Sequence, residues 1–167
     1  MPDHVAIVGY MGSGKTTVGH LLARRTGRDF VDLDAEISHA AGRTIPEIFA
    51  EEGEPRFRDM EQEALAAALA RSDAAVISCG GGAVLRRENR EALGETRTVF
   101  LSEDLDVLYA RTRGPARPLK GVSREDFARR YAERLPLYRE VADLVIRAEG
   151  RGPVSMAEEV ERWLRRR

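Results

Sequence analysis

The stretch G-Y-M-G-S-G-K-T-T, residues 9–17, directly follows the apolar run H-V-A-I-V. Its glycines, lysine and threonine match the pattern G-x-x-x-x-G-K-[ST], with one additional internal glycine. After it, T-V-G-H-L-L-A-R-R-T-G places apolar residues at helical spacing and ends in Gly27, a helix stop signal. The pattern predicts a loop between a buried strand and a helix, whose backbone N–H groups bind phosphate.

Lys15 stands out in this loop because the cations of the chain are almost all arginine: of 27 basic residues, only Lys15 and Lys120 are lysines. A lysine is a point charge on a flexible stem and suits the terminal phosphates of a nucleotide, whereas a rigid planar guanidinium fits a concave loop badly. The threonine hydroxyl that follows is a candidate ligand of Mg²⁺. The predicted phosphate-binding residues are Gly12, Ser13, Gly14, Lys15, Thr16 and Thr17, and Thr16 is also predicted to bind the metal. The alternative, a glycine-rich turn with a chance Lys-Thr pair, leaves the preceding strand and the following helix unexplained.

The composition is that of one ordinary globular domain, with 167 residues, 43% of them hydrophobic and 33% charged. A net charge of −1 gives no support to a nucleic-acid or membrane partner, because both usually require a basic surplus. The one cysteine, Cys79, excludes an internal disulfide and suits a reducing compartment; it ends an apolar run and is predicted to be a buried small side chain. No secretory leader pattern and no apolar run of ~20 residues is found. We therefore expect a soluble, cytoplasmic monomer.

Five short β-rich runs are predicted as strands: residues 4–9, 30–34, 74–80, 98–102 and 143–148. Stretches with helical periodicity lie between them, chiefly residues 15–26, 55–71, 84–92, 104–111, 123–135 and 155–166. Nearly continuous apolar strands that alternate with helices are typical of a parallel sheet with both faces covered. The pattern predicts an α/β fold, a three-layer αβα sandwich around a five-stranded parallel sheet.

Two segments interrupt this alternation. Residues 34–60 contain extra helical pieces punctuated by glycines and prolines. Residues 111–123, R-T-R-G-P-A-R-P-L-K-G-V-S, carry two prolines, two glycines and four cations with almost nothing to bury. In an open α/β sheet the binding crevice lies beyond the carboxyl ends of the strands, where such insertions stand. The first segment is therefore predicted to border the crevice and the second to form a mobile lid.

The second predicted strand ends in D-L-D, residues 32–34. Alternation along a strand would place Asp32 and Asp34 on the same side, near the phosphate loop. Asp32 is predicted to hold Mg²⁺, directly or through water, and Asp34 to accept a hydrogen bond from a substrate hydroxyl. The alternative interpretation makes one of the two, Asp34 above all, the N-cap of the helix that follows.

Three consecutive glycines, Gly80, Gly81 and Gly82, follow the third predicted strand in C-G-G-G-A-V. Glycine costs roughly 1 kcal/mol in a helix, so three of them fill a helix start poorly. They suit a place where a ligand lies against bare backbone and receives N–H donors. A flexible turn without a ligand is the alternative.

Three arginines are candidates for binding an anion. Arg58 lies three residues before Glu61, so on a helix the carboxylate could fix the guanidinium while Arg58 binds an acid. Arg117 lies in the predicted lid and could cover the transferred phosphoryl group. Arg134 precedes a proline that is predicted to end or kink its helix. For each of the three the alternative is a solvated salt bridge.

A phosphate loop, a carboxylate pair, bare backbone, candidate anion-binding cations and a lid together indicate a small kinase. Six stretches carry a resemblance to one family: G-Y-M-G-S-G-K-T-T-V-G at 9–19, D-L-D at 32–34, G-R-T-I-P-E-I-F-A-E-E-G-E-P-R-F-R-D-M-E at 42–61, G-G-G-A-V at 80–84, R-P-L at 117–119 and R-L-P-L-Y at 134–138. In these stretches, nearly from end to end, the chain resembles the shikimate kinase family. The phosphate loop alone is shared by many families, whereas this combination is highly specific.

The resemblance implies a P-loop fold like that of nucleoside monophosphate kinases, formed by residues 1–167 as a single kinase domain with a substrate-binding insert and a lid. It implies ATP-dependent phosphorylation of the 3-hydroxyl of shikimate, on the way to chorismate and the aromatic amino acids. It further implies that Arg58 and Arg134 meet the carboxylate of shikimate, that Asp34 meets its hydroxyls, and that Lys15 and Arg117 steady the phosphoryl group. The remaining implied contacts are Gly80, Gly81 and Gly82 with shikimate, Thr16 and Asp32 with Mg²⁺, and Arg111 and Pro153 with adenine.

Two other interpretations stay open on the residues alone. The chain could be a kinase for another hydroxy acid, such as gluconate, or for a nucleotide, because two arginines serve any small carboxylate. It could also be a nucleotide-dependent switch without acceptor chemistry. The guanine-reading pattern N-K-x-D is absent from the sequence, and the triple glycine would have no use in a switch.

Overall fold

The computed structural model describes residues 3–113 and 122–166. Five strands form one sheet: β1 Val5–Val8, β2 Asp29–Asp32, β3 Ala75–Ser78, β4 Arg97–Ser102 and β5 Leu144–Arg147. Their spatial order is β2-β3-β1-β4-β5, and every neighbouring pair is parallel. The prediction of a five-stranded parallel sheet is confirmed.

Helices cover both faces of this sheet. They are α1 Lys15–Thr26, α2 Leu33–Ala41, α3 Ile45–Leu69, α4 Arg87–Gly94, α5 Leu105–Thr112, α6 Arg124–Val141 and α7 Pro153–Leu164, with a 3₁₀ turn at Ala83–Leu85. Alternate residues of β1 face opposite layers: Val5 and Ile7 pack with α1 and α7, whereas Ala6 and Val8 pack with the layer that contains α4 and α6. The three-layer αβα sandwich is thereby confirmed.

The boundary between β2 and α2 differs from the prediction. The strand ends at Asp32, and Asp34 lies in the first turn of α2 rather than on the strand. The side chain of Asp32 is the N-cap, because its Oδ1 accepts hydrogen bonds from the N–H groups of Asp34 at 3.0 Å and Ala35 at 3.3 Å. A carboxylate that satisfies these otherwise unpaired donors lets the helix begin at once. The prediction that Asp34 lies on the strand, on the same side as Asp32, is therefore wrong. The residue that caps the helix is Asp32.

Two helices are longer than predicted. Helix α6 continues through Pro136 to Val141, so the proline does not end it. A proline removes one backbone hydrogen bond, and the helix is held on both sides of it by buried Phe127 and Tyr138. Helix α3 begins ten residues before the predicted helix 55–71 and ends at Leu69, and its first part is separated from its second by a non-helical Gly53 with φ 80°.

The segment 34–60 has a small hydrophobic cluster of its own, formed by Ile37, Ile48 and Phe57. This cluster joins α2 to α3 separately from the two clusters that cover the sheet. Of the predicted lid, residues 114–121 lie outside the described residues. No helix in the described part of the chain is long and apolar enough to cross a membrane.

Candidate active site

The carboxyl ends of three adjacent strands meet at one edge of the sheet. The register pairs Asp32 with Ser78 and Ser78 with Ile7, so the residues that follow β2, β3 and β1 emerge side by side. These residues are the start of α2, the triple glycine and the phosphate loop. The sheet topology therefore brings together three motifs that are distant in the sequence.

The phosphate loop leads directly into α1. Gly14 is the N-cap of the helix, in a left-handed conformation with φ 90°, and it offers no side chain to cap the first turn. The N–H groups of that turn are thus left for a ligand, and the helix dipole adds positive charge there. The N–H of Ser13 donates to the carbonyl of Tyr10 at 3.2 Å and closes the loop. The Oγ of Ser13 is buried without a hydrogen-bond partner among the described residues.

Lys15 folds its side chain back over this loop. Its Nζ donates to the carbonyl oxygens of Gly9 at 2.9 Å and Tyr10 at 3.1 Å. Burial lowers the pKa of the ammonium group below its usual range, and the nearby charge of Asp34 opposes that shift. Only carbonyl oxygens of the described residues contact the ammonium, and no described carboxylate forms an ion pair with it. Its charge is therefore available to an incoming phosphate.

Asp32 and Asp34 border a cavity of about 270 Å³ beside Lys15, together with Thr16 and Cys79. The hydroxyl of Thr16 donates to Oδ2 of Asp32 at 3.0 Å, so a hydroxyl and a carboxylate lie together next to the loop. Within the described residues there is no group of three His, Cys, Asp or Glu side chains that could hold a metal ion. A Mg²⁺ ion fits this pair only if phosphate and water oxygens complete its octahedral shell, which is its usual arrangement in kinases.

Asp34 borders this cavity and is exposed to it. Burial raises its pKa above the ordinary value, and the charge of Asp32 raises it further, while Lys15 and Arg58 act in the opposite direction. A carboxylate with a raised pKa is a better proton acceptor than a free one. Cys79 behind it is buried, as predicted, and desolvation raises the pKa of its thiol to about 12.

A larger cavity of about 580 Å³ opens on the other side of Asp34. Its lining comes from α2, α3, α6, the loop residue Met11 and the triple glycine: Met11, Asp34, Ile45, Pro46, Phe49, Ala50, Glu54, Phe57, Arg58, Glu61, Gly80, Gly81, Gly82, Arg130 and Arg134. We call it the acceptor cavity. Apolar walls with a few converging charged groups are typical of a small-molecule site.

Arg58 enters the acceptor cavity from α3. Its Nη1 forms an ion pair with Oε2 of Glu61 at 2.6 Å, and its Nη2 forms another with Oε1 of Glu54 at 3.0 Å. The predicted pairing with Glu61 is thus present. The Glu61 side chain is 1% exposed; burial raises its pKa, and the charge of Arg58 opposes that shift. The position of the guanidinium is therefore set by a buried carboxylate.

Arg134 enters the same cavity from α6 and is 9% exposed. Its guanidinium carbon lies 5.5 Å from the centre of the Tyr10 ring, a cation–π distance. No carboxylate among the described residues pairs with it within 4 Å. The structure thus brings Arg58 and Arg134 to one cavity, next to Asp34.

The triple glycine forms the wall between these groups. A β-carbon on Gly80 would lie 2.6 Å from Oε1 of Glu61 and 3.0 Å from Oδ1 of Asp34, and one on Gly82 would collide with the guanidinium of Arg58. The turn is held from behind, because Tyr138 Oη donates to the carbonyl of Gly81 and Asn89 Nδ2 donates to that of Ala83 at 3.0 Å. These two hydrogen bonds anchor the turn, and at Gly80 and Gly82 any larger residue would collide with Glu61 or Arg58.

A third cavity, of about 470 Å³, borders the phosphate loop and shares no described lining residue with the acceptor cavity. It is lined by Gly12–Thr17 of the loop and by Arg111, Arg151, Pro153 and Met156. Arg111 donates from Nη1 to the carbonyl of Gly12 at 2.9 Å and pairs with buried Glu103 at 3.4 Å. Arg111 and Pro153, the two residues that the resemblance implies for adenine, therefore line one cavity with the phosphate loop.

Sequence reasoning missed Arg151 and Arg130. Arg151 lies two residues before Pro153 in the stretch R-G-P, and Arg130 lies one helical turn before Arg134. A spacing of four residues on a predicted helix was the signal that could have found Arg130. Arg117, predicted to contact the phosphoryl group, lies outside the described residues.

Comparison with known proteins agrees with this geometry. The family model for shikimate kinase matches residues 11–165. A shikimate kinase of Saccharopolyspora erythraea is 46% identical over 163 residues, covering 96% of this chain and 93% of the relative. One of Streptomyces avermitilis is 44% identical over 158 residues, covering 93% and 92%.

Among solved structures, the shikimate kinase of Acinetobacter baumannii in complex with shikimate superposes with a TM-score of 0.90 at 38% identity, covering 98% of this chain and 93% of that one. The match thus extends over the phosphate loop, the acceptor cavity and the helices that carry them. On this evidence, the chain belongs to the shikimate kinase family.

Proposed function

We propose that this chain transfers the terminal phosphoryl group of ATP to the 3-hydroxyl of shikimate, giving shikimate 3-phosphate and ADP on the way to chorismate and the aromatic amino acids. The observation that carries the proposal is the position of Asp34, between a lysine-bearing phosphate loop and a cavity with two guanidinium groups. Membership of the shikimate kinase family supports the identity of the acid. On the same grounds we propose a cytoplasmic monomer that acts on small molecules alone.

ATP binds through the loop and the cavity beyond it. Residues Gly12–Thr17 surround the phosphates with backbone N–H groups, and Lys15 adds the one full positive charge of the loop. Arg111 and Pro153 hold the adenine between them, with Arg151 at the same wall. The orphaned N-terminal donors of α1 support this assignment, because a triphosphate satisfies them.

Mg²⁺ is held by Thr16 and Asp32. When bound, the ion neutralises charge on the phosphates of ATP, and the protein contributes only the hydroxyl and the carboxylate. Asp32 therefore has two tasks, because its Oδ1 caps α2 while its Oδ2 faces Thr16. The cap fixes the carboxylate in place.

Shikimate binds in the acceptor cavity with its carboxylate between Arg58 and Arg134 and its ring against Gly80, Gly81 and Gly82. Asp34 then accepts a hydrogen bond from the hydroxyl and orients its oxygen towards the phosphorus. The raised pKa of Asp34 lets it take up the proton as the phosphorus–oxygen bond forms. Because the transition state for phosphoryl transfer is loose, positioning contributes more than proton removal. Arg117 and the lid complete this arrangement in our proposal.

An acceptor panel tests the proposed function. The purified protein, with MgATP, is offered shikimate, gluconate, a nucleoside monophosphate or no acceptor, while ADP is followed in a coupled assay and the product by mass spectrometry. We expect ADP formation with shikimate to exceed the acceptor-free rate by at least about 10²-fold. The reason is that a closed site excludes water, so the acceptor hydroxyl rather than water attacks the phosphoryl group. A faster rate with gluconate, or one that no acceptor changes, would refute the proposal.

The triple glycine, Gly80 to Gly82, leads to a separate prediction. Replacing Gly82 with alanine should displace the guanidinium of Arg58 and raise the KM for shikimate about tenfold or more, because a charged hydrogen bond contributes roughly 1.5–3 kcal/mol. The kcat should fall much less, since Lys15 and Asp34 are untouched. Gly94→Ala is the matched control, because a β-carbon there meets open space. An unchanged KM in the Gly82 variant would contradict the role of Arg58.

A further inference from the structure

Arg130 lines the acceptor cavity, although nothing in the sequence analysis pointed to it. It lies four residues before Arg134 on α6, on the same face of the helix, and its side chain is half-buried. Within residues 3–113 and 122–166, no acidic side chain pairs with it. Its neighbour Arg129 behaves differently, because it faces solvent and pairs with Asp126 at 3.4 Å and Glu133 at 3.1 Å.

The balance of charges that line the acceptor cavity indicates a role for the Arg130 guanidinium in binding an anion. Among the described residues, the lining holds three carboxyl groups, Asp34, Glu54 and Glu61, and three guanidinium groups. Arg58 is already paired with Glu54 and Glu61, so its charge is offset before any acid arrives. Without Arg130, the described part of the lining would carry three carboxyl groups and only two guanidinium groups, a balance that disfavours an anion.

We propose that Arg130 is an acceptor-binding residue that adds, beside Arg134, a second positive charge without a carboxylate partner among the described residues, and that this charge attracts the carboxylate of the acceptor. This inference rests on the proposed function and deepens it. Arg58 and Arg134 hold the carboxylate in a fixed geometry, whereas Arg130 acts over a longer distance through its charge. It affects binding of the acid and leaves the chemistry at Asp34 and Lys15 unchanged.

The test compares Arg130→Met with wild type at several salt concentrations. We expect the KM for shikimate to rise about tenfold at low salt, because the attraction between opposite charges several ångströms apart in a protein is large enough for a change of this size. The kcat should change less than about twofold. In wild type the KM should rise with salt, since the Debye length is only about 10 Å at 0.1 M. In the variant this dependence should be weaker. Arg130→Lys, which keeps the charge, should restore most of the affinity.

Arg129→Met is the matched control, because it removes the same charge from the adjacent position of α6 and should leave the KM and its salt dependence unchanged. Binding of shikimate measured by calorimetry should follow the KM in all four proteins. If wild type phosphorylates shikimate and Arg130→Met shows the same KM and salt dependence, the assignment of Arg130 is overturned and the proposed function stands. If wild type neither binds nor phosphorylates shikimate, both are overturned.

Discussion

Replacement of Lys15 with methionine should lower kcat by about 10²–10³-fold, the usual effect of removing one preorganised group that stabilises transition-state charge. The ammonium group is held at the phosphate loop by the carbonyls of Gly9 and Tyr10, and no described carboxylate is paired with it. Methionine keeps a similar length without the charge. Steady-state kinetics with saturating shikimate, at several ATP concentrations, separate the loss of turnover from a loss of ATP binding.

Two further substitutions make this prediction specific. Lys15→Arg keeps the charge but should restore little activity, because a planar guanidinium does not fit where Nζ lies between two carbonyls. Arg24→Met removes a cation from the exposed last turn of α1 and should change kcat less than twofold. A Lys15→Met variant with more than a tenth of wild-type kcat would contradict the assignment.

Asp34→Asn is expected to lower kcat by about 10²-fold, the low end of the range for loss of a general base, because positioning contributes more than proton removal. The same substitution should make the free protein at least as stable as wild type at pH 7. Burial and the charge of Asp32 raise the pKa of Asp34, so folding disfavours its ionised form. That cost is present above the raised pKa, declines as the pH falls through it, and is absent below the ordinary pKa, where the carboxyl is protonated in both states.

Thermal unfolding at pH 7 and near pH 4 checks the sign of this effect. We expect the Asn variant to unfold at an equal or higher temperature at pH 7 and the difference to disappear in acid. The wild-type kcat should fall as the pH drops through the raised pKa of Asp34. Glu36→Gln, an exposed change in the same turn of α2, should alter neither kcat nor stability appreciably. A less stable Asp34→Asn protein at pH 7 would mean that the carboxylate is held by favourable contacts instead.

The sequence was sufficient for the sheet and the phosphate loop, because both depend on local patterns. Continuous apolar runs identified the five strands, and glycine spacing with Lys15 identified the loop. The boundaries that were missed depend on single side chains. The cap formed by Asp32 ends β2 two residues early, and packing of Phe127 and Tyr138 carries α6 through Pro136.

The acceptor cavity was predictable only in part. The pairing of Arg58 with Glu61 follows from their spacing on a helix, and it is present. Neither Glu54 nor Arg130 was identified from the sequence. For Arg130 the reason is that nearly every cation of the chain is an arginine, and spacing alone does not say which arginines face a cavity. Burial separates the arginines at the cavity from those in solvent, and burial is a property of the fold.

The small cluster of Ile37, Ile48 and Phe57 has a practical consequence. Because it is distinct from the two clusters that hold the sheet, we expect substitutions within residues 42–57 to disturb the acceptor cavity more than the layers that carry the phosphate loop. The choice of acceptor could then be altered with less effect on the phosphate loop. Redesign for new hydroxy acids can begin with that stretch and keep the sheet, its covering helices and the phosphate loop unchanged.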